Sequence, residues 1–268
     1  MKLSLAGWSL QRLFRAPVHP LRLVDFPAFV RNRFGLEAIE LNSPFFPSRE
    51  SRFLRQLVAA ADKAQMRMLN IAVDEVGDLS ADNDLDRNRA VQNYARWVPV
   101  AAELGCTAIR ANTGGMGIID VNRALICCID SFRRLADMGV KHGVSILIEN
   151  HGGLSAEPGN IIAIVDEVRL THGNTVIGTM PDYGNFPDTV DRLASLAKLL
   201  PFAKAVHAKV YDIDEQLNHP RFDLQRCITL TRECGYDGYI GIEYHGSADP
   251  IEGVMRAIAK LGPMTQEC

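Results

Sequence analysis

Carboxylates and a histidine lie at or near the ends of four short apolar segments of this chain. Glu149 ends VSILIE, Glu243 lies in YIGIEY, His207 lies in AVHAKV, and Asp182 follows TVIGTM. A buried carboxylate without a counter-charge is costly, so Glu149 and Glu243 require a positive partner. Two Glu, one Asp and one His form an oxygen-rich ligand set with one imidazole, which suits a divalent cation such as Mn²⁺, Mg²⁺ or Co²⁺. The first hypothesis is therefore a divalent metal site.

Each candidate ligand also has a purely structural interpretation. Glu149 and Glu243 could be structural carboxylates paired with a neighbouring Lys or Arg. Asp182 lies in Pro-Asp-Tyr-Gly, which is typical of turns. His207 could be a core histidine whose hydrogen bonds are satisfied by its neighbours. The spacing of these residues does not decide between the two interpretations.

Further polar residues near the segment ends could contact a substrate. The candidates are Asn42, Arg110, Asn112, His151, Asn185, Lys209 and His245. Lys209 follows His207 by two residues and therefore points to the same face of a strand. His151 and His245 bear the same relation to Glu149 and Glu243. The alternatives are an ion pair for Arg110, a Schiff-base role for Lys209 and exposed loop positions for the two histidines.

Eight segments with strand character recur along the chain and must position these residues. Their starts fall near positions 3, 36, 68, 107, 144, 175, 205 and 239. Stretches with apolar residues at helical spacing lie between them, including one stripe from Val91 to Leu104 and another from Leu125 to Ala136. Five glycines precede strands where a left-handed helix cap favours a residue without a Cβ: Gly35, Gly105, Gly143, Gly173 and Gly235.

This alternation predicts an α/β fold, a single (β/α)₈ TIM barrel over residues 1–268. Eight parallel strands with outer helices typically need about 250 residues, close to the 268 present. An open doubly wound sheet is the alternative, but the chain has no GxGxxG or Walker sequence. In a TIM barrel the active site lies at the carboxyl ends of the strands, where the candidate residues fall.

Composition argues against several other classes of protein. The formal charge of −3 gives no general attraction to nucleic acid or anionic membrane. Apolar stretches reach neither the length of a secretory signal nor that of a membrane span, so we expect a cytoplasmic protein. The six cysteines lack metal-knuckle or disulfide-scaffold spacing and are expected to be buried thiols.

Four longer motifs give the sequence a specific resemblance. They are ILIENHGG at 146–153, GTMPDYGNF at 178–186, AKAVHAKVYDID at 203–214 and GYDGYIGIEYHG at 235–246. With them the chain resembles the sugar phosphate isomerase and epimerase superfamily of xylose-isomerase-like TIM barrels. That superfamily includes ketose 3-epimerases, hydroxypyruvate isomerase, inosose dehydratase and, more distantly, endonuclease IV. The resemblance covers nearly the whole chain.

The resemblance implies one divalent metal ion, Mn²⁺, Mg²⁺, Co²⁺ or Zn²⁺, bound by Glu149, Asp182, His207 and Glu243. It implies an isomerase or epimerase of a sugar or sugar-derived ketone, in which Glu149 and Glu243 transfer a proton through a metal-stabilised enediolate. The order in which the two carboxylates act stays open. A metal-dependent dehydratase of a keto-polyol or keto-sugar is the second hypothesis, and a noncatalytic sugar-binding barrel is the third.

Two positions depart from the pattern of the ketose epimerases. Asn185 replaces a substrate-binding His, and Ile213 replaces an Arg, which argues against the usual free-ketose substrate. Asn42, Asn112 and Asn185 stand where endonuclease IV requires histidines. The expected partner is a small carbohydrate, with neither nucleic acid nor membrane, and a homo-oligomer is left open.

Overall fold

The computed structural model describes residues 1–266, in which eight parallel strands form one curled sheet. The strands are β1 (Lys2–Ala6), β2 (Ala38–Asn42), β3 (Arg67–Val73), β4 (Ala108–Ala111), β5 (Ser145–Ile148), β6 (Ile177–Thr179), β7 (Val206–Val210) and β8 (Tyr239–Tyr244). Hydrogen-bonded pairing runs in the order β6-β5-β4-β3-β2-β1-β8-β7. Sequential parallel pairing is the topology of a (β/α)₈ barrel, so the predicted fold class is confirmed.

The barrel closes between β6 and β7 through isolated bridges. Thr179 pairs with Ala203 and Asp182 pairs with His207, both in parallel. The His207 backbone amide donates to the Pro181 carbonyl at 2.9 Å, and the His207 carbonyl accepts from the Tyr183 amide at 3.0 Å. This seam brings Asp182 beside His207, although β6 itself ends at Thr179.

Helices cover the outside of the barrel. They are α1 (Gln11–Phe14), α2 (Phe26–Phe34), α3 (Ser51–Lys63), α4 (Asp84–Ala95), α5 (Trp97–Glu103), α6 (Val121–His142), α7 (Pro158–His172), α8 (Arg192–Leu199), α9 (Leu224–Glu233) and α10 (Pro250–Gln266). Short 3₁₀ segments span Gly7–Leu10, Leu23–Asp25, Ser43–Phe45, Gly153–Ala156 and Leu200–Phe202. Asn83, Asp120, Asp191 and Asp223 each cap a helix by accepting a backbone N–H.

Side chains alternate along each strand between the outer face, which packs against the helices, and the interior of the barrel. Outward residues such as Ile146, Ile148 and Ile242 are fully buried against the helices. Because side chains alternate across a strand, the residues between them point into the barrel. At the carboxyl ends these inward positions are polar, and they include Glu149 and Glu243.

The predicted junction glycines all have positive φ, but their conformations differ. Gly35 (φ 69°, ψ 8°) and Gly143 (φ 68°, ψ 28°) adopt the left-handed helical conformation that the sequence predicts. Gly105 and Gly235 have φ of 71° and 80°. Gly173 has φ 80° but ψ 176°, so it leaves α7 in an extended turn rather than a left-handed cap.

The apolar stripe from Val91 to Leu104 belongs to two helices, where the sequence predicts one. The break falls at Arg96, between α4 and α5. Pro99 explains it, since a proline ring clashes with the carbonyl four residues earlier, at Ala95, and leaves that carbonyl without a helical donor. Both helices still bury the same face of the stripe.

Four of the five cysteines in the described part of the chain are buried thiols, as predicted. Cys106, Cys127, Cys128 and Cys227 are buried, and Cys234 is half-buried. The prediction for Cys268 lies outside the described residues. Across residues 1–266, no helix combines the length and apolar character needed to cross a membrane.

Candidate metal centre and active site

The four candidate ligands meet at the carboxyl end of the barrel. Glu149 follows β5, Asp182 follows β6, His207 lies on β7 and Glu243 lies on β8. All four are buried, and each offers one ligand atom within 4.8 Å of the other three. Residues that are far apart in the sequence therefore converge because their strands are neighbours around the rim.

Glu149 is held between Arg110 and Asn185. Its Oε2 lies 3.0 Å from the Arg110 Nε, and its Oε1 accepts a 2.9 Å hydrogen bond from the Asn185 Nδ2. Only 1% of the residue is exposed. Burial raises the pKa of Glu149, and the positive charges of Arg110 and His207 oppose this rise without cancelling it.

The pKa of Glu243 is shifted in the opposite direction from that of Glu149. Its Oε1 lies 3.1 Å from the Lys209 Nζ, and its Oε2 lies 3.2 Å from the His207 Nδ1. Burial favours a raised pKa, but Lys209 and His207 together hold the pKa of Glu243 well below its usual range. The Lys209 Nζ also donates to the Asn185 Oδ1 at 2.6 Å. Asn185 thus links the two carboxylates through the lysine.

His207 contacts a second carboxylate that was not among the predicted site residues. Its Nε2 lies 2.6 Å from the Oε2 of Glu40 on β2, while its Nδ1 faces Glu243 and lies 4.0 Å from the Glu149 Oε1. Burial lowers the pKa of His207, but the Glu40 and Glu243 carboxylates outweigh it and raise that pKa well above the usual range. Glu40 lies two residues before Asn42 on β2, and the rule for strand ends indicates both residues.

Asp182 provides the strongest indication that this cluster suits a cation. Its Oδ1 accepts from the Gly184 amide at 2.6 Å, but its buried Oδ2 has no hydrogen-bond partner among the described residues. Its backbone is fixed by two bonds with the Asn150 side chain, at 2.8 and 2.9 Å. Burial raises the pKa of Asp182 to about 7. A buried carboxylate oxygen without a partner fits a site for a divalent cation.

Three of the predicted substrate residues have polar partners outside the four candidate ligands, and of the three Arg110 also contacts Glu149. The Arg110 Nη1 lies 2.6 Å from the Oδ1 of Asp74, the same oxygen that accepts from the Asn112 Nδ2 at 3.1 Å. The Asn42 Oδ1 accepts from the Trp8 backbone amide at 3.0 Å. Asn42 and Arg110 are buried, and Asn112 is half-buried.

Asp74 is a second partner that the sequence interpretation did not single out. Its carboxylate binds Arg110 and Asn112, and it accepts from the Trp8 Nε1 at 3.0 Å. Asp74 directly follows β3. In the sequence, the indication for Asp74 was its position at the end of the segment MLNIAVD. Its partners can be identified only in the folded barrel.

The remaining predicted substrate residues lie closer to solvent or between the carboxylates. His151 and His245 are exposed beyond β5 and β8, and His245 packs edge-on against Tyr211. Desolvation and the positive charge of Lys209 lower the pKa of His245. Asn185 is half-buried and Lys209 is 6% exposed. The site thus has buried charged residues at its base and two exposed histidines at its entrance.

Comparison with protein families agrees with this architecture. The xylose isomerase-like TIM barrel family matches residues 31–262. The chain belongs to this family, as its sequence predicts. The match includes all four candidate ligands.

Solved structures of low sequence identity share the fold over the full chain. The 3-keto-D-glucoside 4-epimerase YcjR from E. coli is 14% identical with a TM-score of 0.76, covering 98% of each chain. A D-psicose 3-epimerase from Clostridium cellulolyticum with D-tagatose is 14% identical with a TM-score of 0.78, covering 100% of each. A xylose isomerase-like barrel from Mycobacterium smegmatis in complex with magnesium is 18% identical with a TM-score of 0.71, covering 98% and 96%.

A curated protein matches a short part of the sequence. The C-glycoside deglycosidase alpha subunit of Arthrobacter globiformis is 38% identical over 65 residues. The match covers 22% of this chain and 18% of that protein. The chain therefore corresponds to less than a fifth of this relative's length.

Proposed function

We propose that this protein is a divalent-metal-dependent isomerase or epimerase of a sugar or sugar-derived ketone. The observation that carries the proposal is the buried convergence of Glu149, Asp182, His207 and Glu243, with the Asp182 Oδ2 left without a partner. The solved epimerases of the same fold support the choice of substrate class.

The four residues would hold Mn²⁺, Mg²⁺, Co²⁺ or Zn²⁺ through carboxylate oxygens and one imidazole. When bound, such an ion supplies Lewis acidity that polarises a carbonyl oxygen and acidifies the adjacent C–H. The structural neighbour in complex with magnesium supports a site for a divalent cation in this fold.

Glu149 and Glu243 would remove and return the proton. One carboxylate accepts the proton from the substrate carbon. The other, when protonated, donates a proton that forms the new C–H bond. The hand of the substrate carbon decides which residue acts first. Their different partners, Arg110 for Glu149 and Lys209 for Glu243, give the two groups different proton affinities.

The other polar residues would bind or orient the substrate. Lys209 and Asn185 lie between the two carboxylates and can donate hydrogen bonds to substrate oxygens. His151 and His245 are exposed at the entrance of the site. They would contact substrate hydroxyls that lie farther from the four candidate ligands. Arg110 would influence the reaction through Glu149, which it contacts directly.

Metal analysis followed by solvent isotope exchange tests the proposal. We expect about one Mn²⁺ per chain in the wild type after removal of free ion, and none in His207→Ala. His142→Ala, at the end of α6, is the matched control and should retain the metal. Absence of metal in the wild type would overturn the proposed mechanism.

The metal-loaded protein should then be incubated in D₂O with ketoses and keto-glucosides. An isomerase or epimerase incorporates deuterium at carbon, and its product is an isomer that has lost no water. A dehydratase releases water and gives a dehydrated ketone. A noncatalytic sugar-binding barrel binds ligand without C–H exchange, and either of these last two results would contradict the proposal.

A further inference from the structure

A buried carboxylate lies on the far side of the His207 imidazole from the candidate metal ligands. Glu40 on β2 is 2% exposed, and its Oε2 lies 2.6 Å from the His207 Nε2. Ser4 Oγ donates to the Glu40 Oε1 at 2.6 Å, and Asn70 Nδ2 donates to Oε2 at 2.8 Å. Neighbouring strands thus fix both oxygens of Glu40.

This contact determines what the two nitrogens of His207 can do. An ionised carboxylate only accepts hydrogen bonds, and both nitrogens of His207 lie beside one, Nε2 beside Glu40 and Nδ1 beside Glu243. Glu40 is outside the candidate ligand set, so the Nε2–H bond to it can remain when Glu243 binds a cation. The Nδ1, which lies 3.2 Å from the Glu243 Oε2 and 4.0 Å from the Glu149 Oε1, is then the nitrogen available to a cation. When the ring is neutral, its unprotonated Nδ1 therefore faces the candidate metal site.

The absence of a side chain at Gly241 makes room for this pair. A Cβ at Gly241 would lie 2.3 Å from the Glu40 Oε1 and 2.7 Å from the His207 Cδ2. Real Cβ contacts are not this short, so any larger residue would displace the carboxylate or the imidazole. Gly241 pairs directly with His207 in the β7–β8 register, which explains the close approach.

We propose that Glu40 is a positioning residue that sets the orientation and tautomer of His207 for metal binding, with Gly241 providing the space. This role rests on the metal site proposed above. Carboxylates that bind the second nitrogen of a metal-ligating histidine typically contribute about 10- to 100-fold to metal affinity. Within residues 1–266, the polar side-chain partners of Glu40 are Ser4, Asn70 and His207, so His207 is the candidate ligand through which it acts.

Direct measurement of Mn²⁺ affinity by titration calorimetry tests the proposal. We expect Glu40→Gln to raise the dissociation constant by about 10- to 100-fold. Glu37→Gln is the matched control, since Glu37 is exposed just before the same strand, and it should bind like the wild type. Ser4→Ala, which leaves the His207 contact intact, should have a smaller effect than Glu40→Gln.

Gly241→Ala provides an independent second variant, because it disturbs the pair without removing either partner. It should also weaken Mn²⁺ binding, while Gly159→Ala, whose Cβ meets only an ordinary contact at 3.7 Å, should not. In the Zn²⁺-loaded protein, the ¹⁵N resonances of His207 should show metal on Nδ1 and a proton on Nε2. That signature should change in Glu40→Gln.

The outcomes separate this inference from the proposed function. A wild type that binds no metal overturns both. A wild type that binds Mn²⁺, together with Glu40→Gln and Gly241→Ala variants of unchanged affinity, overturns the role of Glu40 alone. If Glu40→Gln does not fold, a folded Gly241→Ala protein supports the role only when weakened binding comes with a changed ¹⁵N signature of His207, and weakened binding with the wild-type signature overturns it.

Discussion

At the scale of single residues, the site combines carboxylates with contrasting surroundings. Asp182 has one satisfied oxygen and one buried oxygen without a partner among the described residues, and Glu149 and Glu243 are each paired with a different cation. The same residue type therefore has a raised pKa at Glu149 and a lowered pKa at Glu243. Local partners set these differences, and they are features of the assembled barrel.

Substitution of Asp182 should separate metal binding from loop structure. We expect Asp182→Asn to weaken Mn²⁺ binding by about tenfold or more, because a neutral amide replaces an anionic ligand. Asp188→Asn, at an exposed position on the same loop, is the control and should keep wild-type affinity. Equal affinity of Asp182→Asn and the wild type would remove Asp182 from the ligand set.

Metal binding should release more protons at pH 6 than at pH 8. Burial raises the pKa of Asp182 to about 7, so its carboxyl is mostly protonated at pH 6 and mostly ionised at pH 8. Because a ligand carboxylate must be ionised, we expect a difference of about one proton per bound Mn²⁺. Calorimetry in buffers of different ionisation enthalpy measures this number. Equal release at both pH values would contradict the assignment.

The same shift has a defined sign for the stability of the metal-free protein. The pKa of Asp182 in the folded state is above the value of about 3.9 expected in the unfolded chain. The folded protein therefore binds this proton more tightly, and the contribution of Asp182 to stability falls as pH rises from about 4 to about 7.

At the scale of elements, the site depends on where each strand ends and how each helix returns. β6 is only three residues long, and the chain continues through Pro181 to place Asp182 against β7. The 22-residue helix α6 ends one residue before Gly143, and β5 begins two residues after that glycine. Short connections of this kind leave little freedom in the position of the next strand.

Replacement of Gly143 should destabilise the fold without affecting the metal site. Gly143 has φ 68°, and within residues 1–266 no atom beyond its neighbours along the chain lies within 4 Å of the place that a Cβ would occupy, so the cost of Gly143→Ala is conformational. We expect a loss of about 1 kcal/mol in the free energy of unfolding, measured with urea. Gly159→Ala, at an ordinary helical position, should show no such loss. A neutral effect at Gly143 would contradict the strained-cap explanation.

At the scale of the whole molecule, the proposed metal site joins strands from both sides of the barrel seam. Asp182 follows β6, while His207 and Glu243 lie on β7 and β8. The β6–β7 seam consists of isolated bridges, whereas the other neighbouring strands form ladders, of which the β2–β3 ladder contains a register shift. An ion shared across this seam would stabilise the closed barrel.

Divalent metal should therefore raise the thermal stability of the whole protein. At a free Mn²⁺ concentration about 100 times the dissociation constant, linkage predicts about 2.7 kcal/mol of added stability. The melting temperature should rise with Mn²⁺, fall after chelation and stay constant in His207→Ala. Calorimetric melting measures all three. A similar Mn²⁺ response in His207→Ala would place the stabilising ion elsewhere.

The sequence by itself determined the barrel, the family and the four residues that cluster as candidate ligands. Strand-length apolar segments, junction glycines and charged residues at strand ends are local patterns, and local patterns are directly readable from a sequence. The helix break at Arg96 was also encoded, by Pro99, but the continuous apolar stripe masked it.

Only the tertiary structure decided which charges became partners. Glu40 meets His207 across 167 positions of sequence, and Arg110 lies between Asp74 and Glu149. The first pairing arises because barrel closure brings β2 and β7 within hydrogen-bond distance in a buried interior, and the second because β3, β4 and β5 are neighbours in the sheet. The orientation of His207 and the unpartnered oxygen of Asp182 within the described chain follow from that closure, since burial and partner geometry are properties of the folded barrel.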